Sequence, residues 1–162
     1  MEKTDFLNVF EGLEGSELIQ DTFLFEKLNF DEAAGLASQF ELRAYEPGQT
    51  ILEQNAIGES LYLVKSGKVA VIKSDGEHEQ QLAELGEGEL FGEMSLVETE
   101  LTSASVRAVG KTECLVLPKF AIEQIMKHDR DFSLKIYQAF CKILSERLRR
   151  TTQDLFEARK GR

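Results

Sequence analysis

The sequence has 162 residues, 42% hydrophobic and 30% charged, which are ordinary proportions for one globular domain able to bury its own core. The formal net charge of −10 disfavours nucleic acid as a partner, because its phosphate backbone is also negative. No apolar run approaches the roughly 18 residues of a membrane span. Residues 1–10 carry acidic side chains and no long apolar run, so we expect no secretory signal and a cytoplasmic protein.

The N-terminal region is predicted to be helical. In the first twenty residues Phe6, Phe10 and Leu13 recur at the spacing of one helix face. A second helix is predicted to begin at Asn29, because Glu32 follows three residues later in the pattern of a capping box. The expected buried face of this second helix comprises Ala33, Leu36, Ala37 and Phe40.

From Glu41 to Leu117 the hydrophobic period changes from that of a helix to the alternation of a strand. Leu61 to Val64 and Val69 to Ile72 are the clearest alternating runs. Turn residues such as Pro47-Gly48 and Ser66-Gly67 separate these short runs. Many short strands with this punctuation indicate a β-sandwich or a β-barrel.

Two helices are predicted after the strands. Pro118 suits the first position of a short helix that includes Phe120 to Lys127. From Asp131 to about Ala158 the chain has no proline or glycine, so we expect one long helix there.

The long helix carries two apolar stripes. One has spacings of four and three over three heptads, as in a helix that packs along a partner helix; we call it the seam, and it comprises Tyr137, Cys141, Leu144, Leu148, Thr151, Leu155 and Ala158. The other, the flank, is expected to dock on the strands and comprises Phe132, Ile136, Phe140 and Ile143. A helix with both stripes favours a homodimer, and packing of the seam within one chain is the alternative.

The residues that support catalysis or metal binding are few. Cys114 and Cys141 lie in apolar segments and are expected to be small buried hydrophobes rather than a disulfide or metal pair. A cupin-type metalloenzyme needs clustered histidines, whereas His78 and His128 are the two histidines of the chain. We therefore expect a protein that is not an enzyme and holds no metal.

The segment from Leu85 to Glu98 is the candidate binding site. It combines glycines that allow close backbone approach with Glu93 at the start of a short helical turn. Backbone N–H groups at such turns bind anions, and a glutamate beside them accepts hydrogen bonds from a sugar hydroxyl. This suits a nucleotide whose ribose and phosphate both enter the pocket, and an ordinary β-loop is the alternative.

The stretch from Phe91-Gly92-Glu93-Met94-Ser95-Leu96 to Thr102-Ser103-Ala104-Ser105-Val106-Arg107-Ala108 resembles the phosphate-binding cassette of the cyclic nucleotide-binding domain family. That family includes bacterial catabolite activator proteins and kinase regulatory subunits. The resemblance covers roughly residues 22 to 157 and includes Tyr45–Ile51, Leu61–Val71 and Leu144–Thr152. It implies a mainly β fold with flanking helices, a double-stranded β-helix (jelly-roll) barrel, in residues 21–162, with residues 1–20 as an N-terminal extension.

The resemblance also implies roles for individual residues. Glu93 would bind the ribose 2′-hydroxyl, with Gly92 giving backbone access, while the Ser103 hydroxyl and the Ala104 N–H would face the cyclic phosphate. The other implied ligand-binding residues are Val71, Leu82 and Ala83 at the ribose and base, Phe91, Met94, Ser95 and Thr102 in the cassette, and Thr151 with the partner's Thr152 at the purine. A tolerated seam threonine is the alternative for Thr151.

The sequence departs from the family pattern at Thr102, where the family usually has an arginine that pairs with the phosphate. A hydrogen bond to a charged group contributes about 1.5–3 kcal/mol, and neither Arg107 nor Lys111 is an obvious substitute. Two hypotheses follow. The first is a regulatory module that binds cAMP or cGMP and signals through its dimerisation helix; the alternative is a degenerate domain that acts as a ligand-free dimerisation or scaffold module.

Direct DNA binding is not expected. Transcription factors of the family carry a helix-turn-helix after the long helix, and the ten residues that follow Thr152 are too few to form one. We expect regulation through a protein partner, by way of the N-terminal extension or the basic tail from Lys142 to Arg162.

Overall fold

The computed structural model describes residues 22–161, so the predicted N-terminal extension with Phe6, Phe10 and Leu13 lies outside the described residues. The described part contains four helices and eight strands, in the order α1 (Phe30–Ala37), β1 (Glu41–Tyr45), β2 (Thr50–Leu52), β3 (Ser60–Ser66), β4 (Val69–Ser74), β5 (Glu79–Leu85), β6 (Leu90–Phe91), α2 (Met94–Val97), β7 (Ser105–Ala108), β8 (Thr112–Pro118), α3 (Lys119–His128) and α4 (Arg130–Lys160).

The strands form two four-stranded antiparallel sheets, ordered β1-β8-β3-β6 and β2-β7-β4-β5. Most connections cross from one sheet to the other, because successive strands alternate between them. The predicted mainly β fold with flanking helices is confirmed. Within residues 22–161 the strands form two open sheets packed as a sandwich, one of the two arrangements that the strand pattern indicates.

The alternation in β3 divides the interior into two cores. Tyr62 and Val64 face the second sheet and pack with Val69 and Val106 between the sheets. Leu61 and Leu63 point the other way, toward the helices, and both are fully buried. Burial of each such side chain contributes about 1.5–3 kcal/mol. One sheet thus carries the helices on its outer face and the second sheet on its inner face.

Helix α1 begins as its sequence predicts. The Glu32 N–H donates to the Asn29 side chain at 2.9 Å, and the Asn29 N–H donates to the Glu32 carboxylate at 2.8 Å. This capping box satisfies two N–H groups that a helix start leaves free. The predicted inner face is buried, namely Ala33, Leu36, Ala37 and Phe40.

The C-terminal helices differ slightly from expectation. Pro118 is the last residue of β8 and the N-cap of α3, so this helix begins at Lys119, one position after the predicted first helical residue. Its extended ψ of 134° continues the strand. The long helix α4 covers the predicted range, and no helix in the described residues is long and apolar enough to cross a bilayer.

The two stripes of α4 have different environments. The flank is buried against the strands and α1: Phe132, Ile136, Phe140 and Ile143 are at most 6% exposed. The seam faces outward, with Tyr137 49%, Leu148 67% and Leu155 52% exposed. Cys141 also lies on this exposed face, so its expected burial is wrong for the single chain, whereas Cys114 is buried between the sheets.

Candidate functional site

Gly92 holds the start of the cassette close to β3. Its φ of +81° favours glycine, and a Cβ at this position would lie 2.6 Å from the carbonyl oxygen of Ser60. The preceding Phe91 stacks on Tyr62, with ring centroids 4.7 Å apart and planes 3° from parallel. A larger residue at position 92 would therefore separate the cassette from the strand on which it rests.

Glu93 follows as the N-cap of α2 and is only 1% exposed. Its Oε1 accepts a hydrogen bond from Nη1 of Arg147 on α4, and Nη2 of the same arginine donates to the Leu90 carbonyl. The second carboxylate oxygen, Oε2, is buried and has no hydrogen-bond partner in the described part of the chain. Buried polar atoms are rarely left without partners, so Oε2 is available to a donor brought by a ligand.

A second ion pair fixes α4 beside the cassette, one turn further along the helix. Arg150 donates to Oε1 of Glu89, whose Oε2 accepts from the Gly86 N–H at 2.9 Å. Burial raises the pKa of Glu89, but the hydrogen bonds from Arg150 and Gly86 outweigh this effect and lower the pKa overall. A cleft of about 350 Å³ lies between α4 and the β5–β6 turn.

Thr102 fastens the other end of the cassette to the β2–β3 loop. Its hydroxyl donates to the carbonyl of Glu53 and accepts from the Ala56 N–H at 3.0 Å. The Thr102 backbone adds bonds to Ala56 O at 2.9 Å and from Asn55 N at 2.8 Å. A hydroxyl has one proton to donate. Because that proton is engaged here, the side chain of Thr102 does not reproduce the phosphate contact of an arginine.

Ser103 and Ala104 form the open end of the cassette. Ser103 is exposed, Ala104 is half-buried, and the Ser103 hydroxyl has no hydrogen-bond partner among residues 22–161. The carbonyl oxygen of Ser103 accepts a hydrogen bond from Nζ of Lys73 at 2.6 Å. This end therefore has an exposed hydroxyl and a nearby cation.

The predicted pocket wall lies on the second sheet. Val71 pairs with Ala83 on β5 and with Val106 on β7, so these three side chains share one face. Val71 is half-buried, whereas Ala83 is exposed. Leu82 is 58% exposed and lies at the register shift, between the partners of Val71 and Ile72.

The remaining cassette residues have different roles. Met94 is 47% exposed, whereas Ser95 is buried against Gly58, at which an added Cβ would lie 1.7 Å from the Ser95 Oγ. Ser95 thus packs α2 onto the β2–β3 loop. The packing of Ser95 and the exposure of Met94 leave their predicted contact with a ligand untested.

Thr151 and Thr152 lie on α4 just beyond Arg147 and are exposed. The Thr152 hydroxyl donates to the Leu148 carbonyl of its own helix at 2.8 Å. Neither threonine forms a hydrogen bond with the cassette in the described single chain. Their contact with a purine therefore stays a prediction that depends on the ligand and on a second chain.

Sequence reasoning missed Arg147 and Lys73, which contact the cassette in the described part of the chain. Arg147 lies one helical turn before Thr151 and so shares its side of α4, which was the available signal. Lys73 continues the alternation of Val69 and Val71. Arg107, by contrast, is on the opposite face of β7 from Val106 and pairs with Glu79 at 3.3 Å.

The described residues contain no group of three or more histidine, cysteine, aspartate or glutamate side chains able to hold a metal ion. His78 is exposed in a turn beside Asp75, with 3.8 Å between Nδ1 and the carboxylate. Burial raises the pKa of Cys114 to about 12, so this thiol is un-ionised at neutral pH.

The family model of the cyclic nucleotide-binding domain matches residues 42–129. A cyclic AMP receptor protein of Thermus thermophilus is 46% identical over 95 residues, which are 58% of this chain and 44% of that protein. A cAMP-dependent protein kinase regulatory subunit of Mucor circinelloides is 29% identical over 108 residues, 67% of this chain and 25% of that protein. The chain therefore spans less than half the length of either relative.

The fold is also similar to that of solved structures. A cyclic nucleotide-binding domain from Methylobacillus flagellatus superposes with a TM-score of 0.76 at 26% sequence identity. The match covers 88% of this chain and 80% of that one.

Proposed function

The chain belongs to the cyclic nucleotide-binding domain family, and we propose that it is a cytoplasmic regulatory module that binds cAMP or cGMP and transmits binding to α4. The observation that carries this proposal is the buried Oε2 of Glu93, which has no partner in the described residues. A ligand hydroxyl that donates to this oxygen would satisfy it. The ribose 2′-hydroxyl of a cyclic nucleotide supplies such a donor.

The contacts proposed for the rest of the nucleotide are those that the family resemblance implies. The Ser103 hydroxyl and the Ala104 N–H would receive the cyclic phosphate, and the exposure of Ser103 at the open end of the cassette supports this. Val71, with Leu82 and Ala83, would line the ribose and base. Thr151, together with the partner's Thr152, would contact the purine.

Signal transmission would pass through Arg147. This arginine joins the Glu93 carboxylate to α4, so a ribose hydroxyl that reaches Glu93 shares its acceptor with the helix. A ligand bound at Oε2 and Arg147 bound at Oε1 contact the same carboxylate, so ligand binding would change how Glu93 holds α4 and shift the population between helix positions. The helix would carry the change to a homodimer interface formed by the seam, whose apolar side chains are exposed in the single chain. Output would pass to a protein partner.

Calorimetric titration with cAMP and with 2′-deoxy-cAMP tests the assignment of Glu93. We expect loss of the 2′-hydroxyl to weaken binding to the wild-type chain by about tenfold or more, the effect of one hydrogen bond to a charged group. Glu93→Gln should bind the two nucleotides alike, whereas the exposed control Glu98→Gln should discriminate as the wild type does. Equal affinities in the wild type would show that the carboxylate does not bind the ribose.

A ligand-free dimerisation module is the second candidate. It is favoured by the contacts already made inside the cassette: Arg147 pairs with Glu93, and Thr102 donates its hydroxyl proton to the β2–β3 loop. In this case the exposed seam is the functional surface. No heat of binding with either cyclic nucleotide, in a chain that still dimerises, would support this candidate.

A further inference from the structure

Lys73 lies on the face of β4 that also bears Val71, one of the predicted ligand-binding residues. Val69 is fully buried between the sheets and Val71 packs against the same core, so alternate residues of this strand point inward. Lys73 is the next residue in that series and pairs with Gln80 on β5. The side chain therefore leaves the sheet on the side where the cassette lies.

The position of the Lys73 ammonium is defined by one contact. Nζ donates to the carbonyl oxygen of Ser103 at 2.6 Å, and no carboxylate of the described residues lies within ion-pair distance of it. Three arginines close to the cassette or to β7 already have anionic partners: Arg147 with Glu93, Arg150 with Glu89 and Arg107 with Glu79. Lys73 thus holds a positive charge at the cassette that no carboxylate among residues 22–161 neutralises.

The carbonyl of Ser103 and the N–H of Ala104 belong to one peptide group. A cation on the carbonyl side polarises that group and strengthens the N–H as a donor. An anion bound at this N–H would lie roughly 7 Å from Nζ, given ordinary peptide and hydrogen-bond lengths. This is within the Debye length of about 8 Å at physiological ionic strength, so the attraction is only partly screened.

We propose that Lys73 supplies the positive charge of the phosphate subsite, in place of the arginine that the family usually has at the position of Thr102. The inference rests on the proposed binding of a cyclic nucleotide and assigns its anionic group to the Lys73–Ser103–Ala104 end of the cassette. The charge comes from the sheet, whereas the usual arginine would come from the cassette itself.

The test is calorimetric titration of cAMP into the wild type, Lys73→Gln, Lys73→Arg and the control Lys111→Met. Glutamine can still donate to the Ser103 carbonyl but has no charge, arginine keeps the charge, and Lys111 is an exposed lysine in the β7–β8 turn. We expect Lys73→Gln to bind about tenfold more weakly or worse, Lys73→Arg to stay within about threefold, and Lys111→Met to match the wild type. The affinity of Lys73→Gln should also depend less on salt concentration than that of the wild type.

Titration with 2′-deoxy-cAMP separates this role from a structural one. If Lys73 acts on the phosphate, Lys73→Gln keeps the wild-type preference for cAMP over the deoxy nucleotide, because Glu93 is unchanged. Loss of that preference would mean that the lysine only shapes the cassette, and unchanged cAMP affinity would mean that it has no role; either result overturns the proposal. Absence of binding to the wild type would instead refute the proposed function.

Discussion

The two ends of the cassette are held by different parts of the molecule. At Glu93 a buried anion is joined to the long helix by Arg147, and the backbone at Gly92 is pressed against β3. At Ser103 an exposed turn is joined to β4 by Lys73. The first end is buried and linked to the proposed dimer helix, whereas the second is open and linked to the sheet. A ligand that contacts both ends would therefore connect the sheet to the helix.

The buried end should be much less tolerant of substitution than the open end. Gly92→Ala forces a Cβ to within 2.6 Å of the Ser60 carbonyl at a positive φ, and we expect it to lower the free energy of unfolding by about 1–3 kcal/mol. Ser103→Ala should change that free energy by no more than about 0.5 kcal/mol. Urea denaturation measures both. The control is Gly110→Ala, because nothing lies within 4 Å of a Cβ there.

The link from the buried end to a dimer is tested by Leu148→Glu. Leu148 is 67% exposed in the single chain, and a charge buried in the seam of a dimer should weaken association more than tenfold. Analytical ultracentrifugation of this variant and of Arg149→Glu, an exposed neighbour outside the seam, measures the effect. Cys141 should also react faster with a thiol reagent in the monomer. Identical sedimentation of both variants and the wild type would exclude the seam as the interface.

Removal of Arg147 from the buried end of the cassette should destabilise the fold more than removal of Lys73 from the open end. Arg147→Met leaves the Glu93 carboxylate buried without its cation, and we expect it to lower the free energy of unfolding by about 1–2 kcal/mol. The effect should be smaller than for a fully buried pair, because the Arg147 side chain is 37% exposed. Lys73→Gln has no buried partner and should leave the stability within about 0.5 kcal/mol of the wild type. Equal losses of unfolding free energy in the two variants would contradict the claim that the Glu93 end is buried and the Ser103 end is open.

The smallest expected effect concerns pH. The pKa of Glu89 is lowered in the folded chain, so its ion pair with Arg150 contributes stability above the unfolded value of about 4.3 and loses it as pH falls through the folded value. The contribution should be about 0.2–1 kcal/mol, as for a surface ion pair, because the Arg150 side chain is 62% exposed. Arg150→Gln should therefore destabilise the chain at pH 7 and have less effect near pH 3. A pH-independent effect of this variant would contradict the assignment.

Local patterns predicted much of the fold. The capping box of Asn29 and Glu32, the alternation in β3 and the buried flank of α4 each follow from spacing between near neighbours. The exposure of Cys141 differed from expectation because its apolar neighbours belong to two faces of one helix. Spacing identifies such faces, but it does not show which of them a partner covers.

The contacts at the site were less predictable because they join residues far apart in sequence. Arg147 and Glu93 are 54 residues apart, and Lys73 and Ser103 are 30 apart. The resemblance identified Glu93 and Ser103 but carried no information on cations from α4 and β4. Thr102 was expected among the ligand-binding residues, whereas its bonds to Glu53 and Ala56 depend on how the β2–β3 loop folds.

Thermal unfolding with and without saturating cAMP or cGMP tests most directly the claim that this cassette binds a cyclic nucleotide. Ligand at about 100 times its dissociation constant should add about 2.7 kcal/mol to the free energy of unfolding and raise the Tm by several degrees. The same nucleotide should leave the Tm of Glu93→Ala unchanged. No shift in the wild type at millimolar concentrations of either nucleotide would contradict the account and favour a ligand-free dimer.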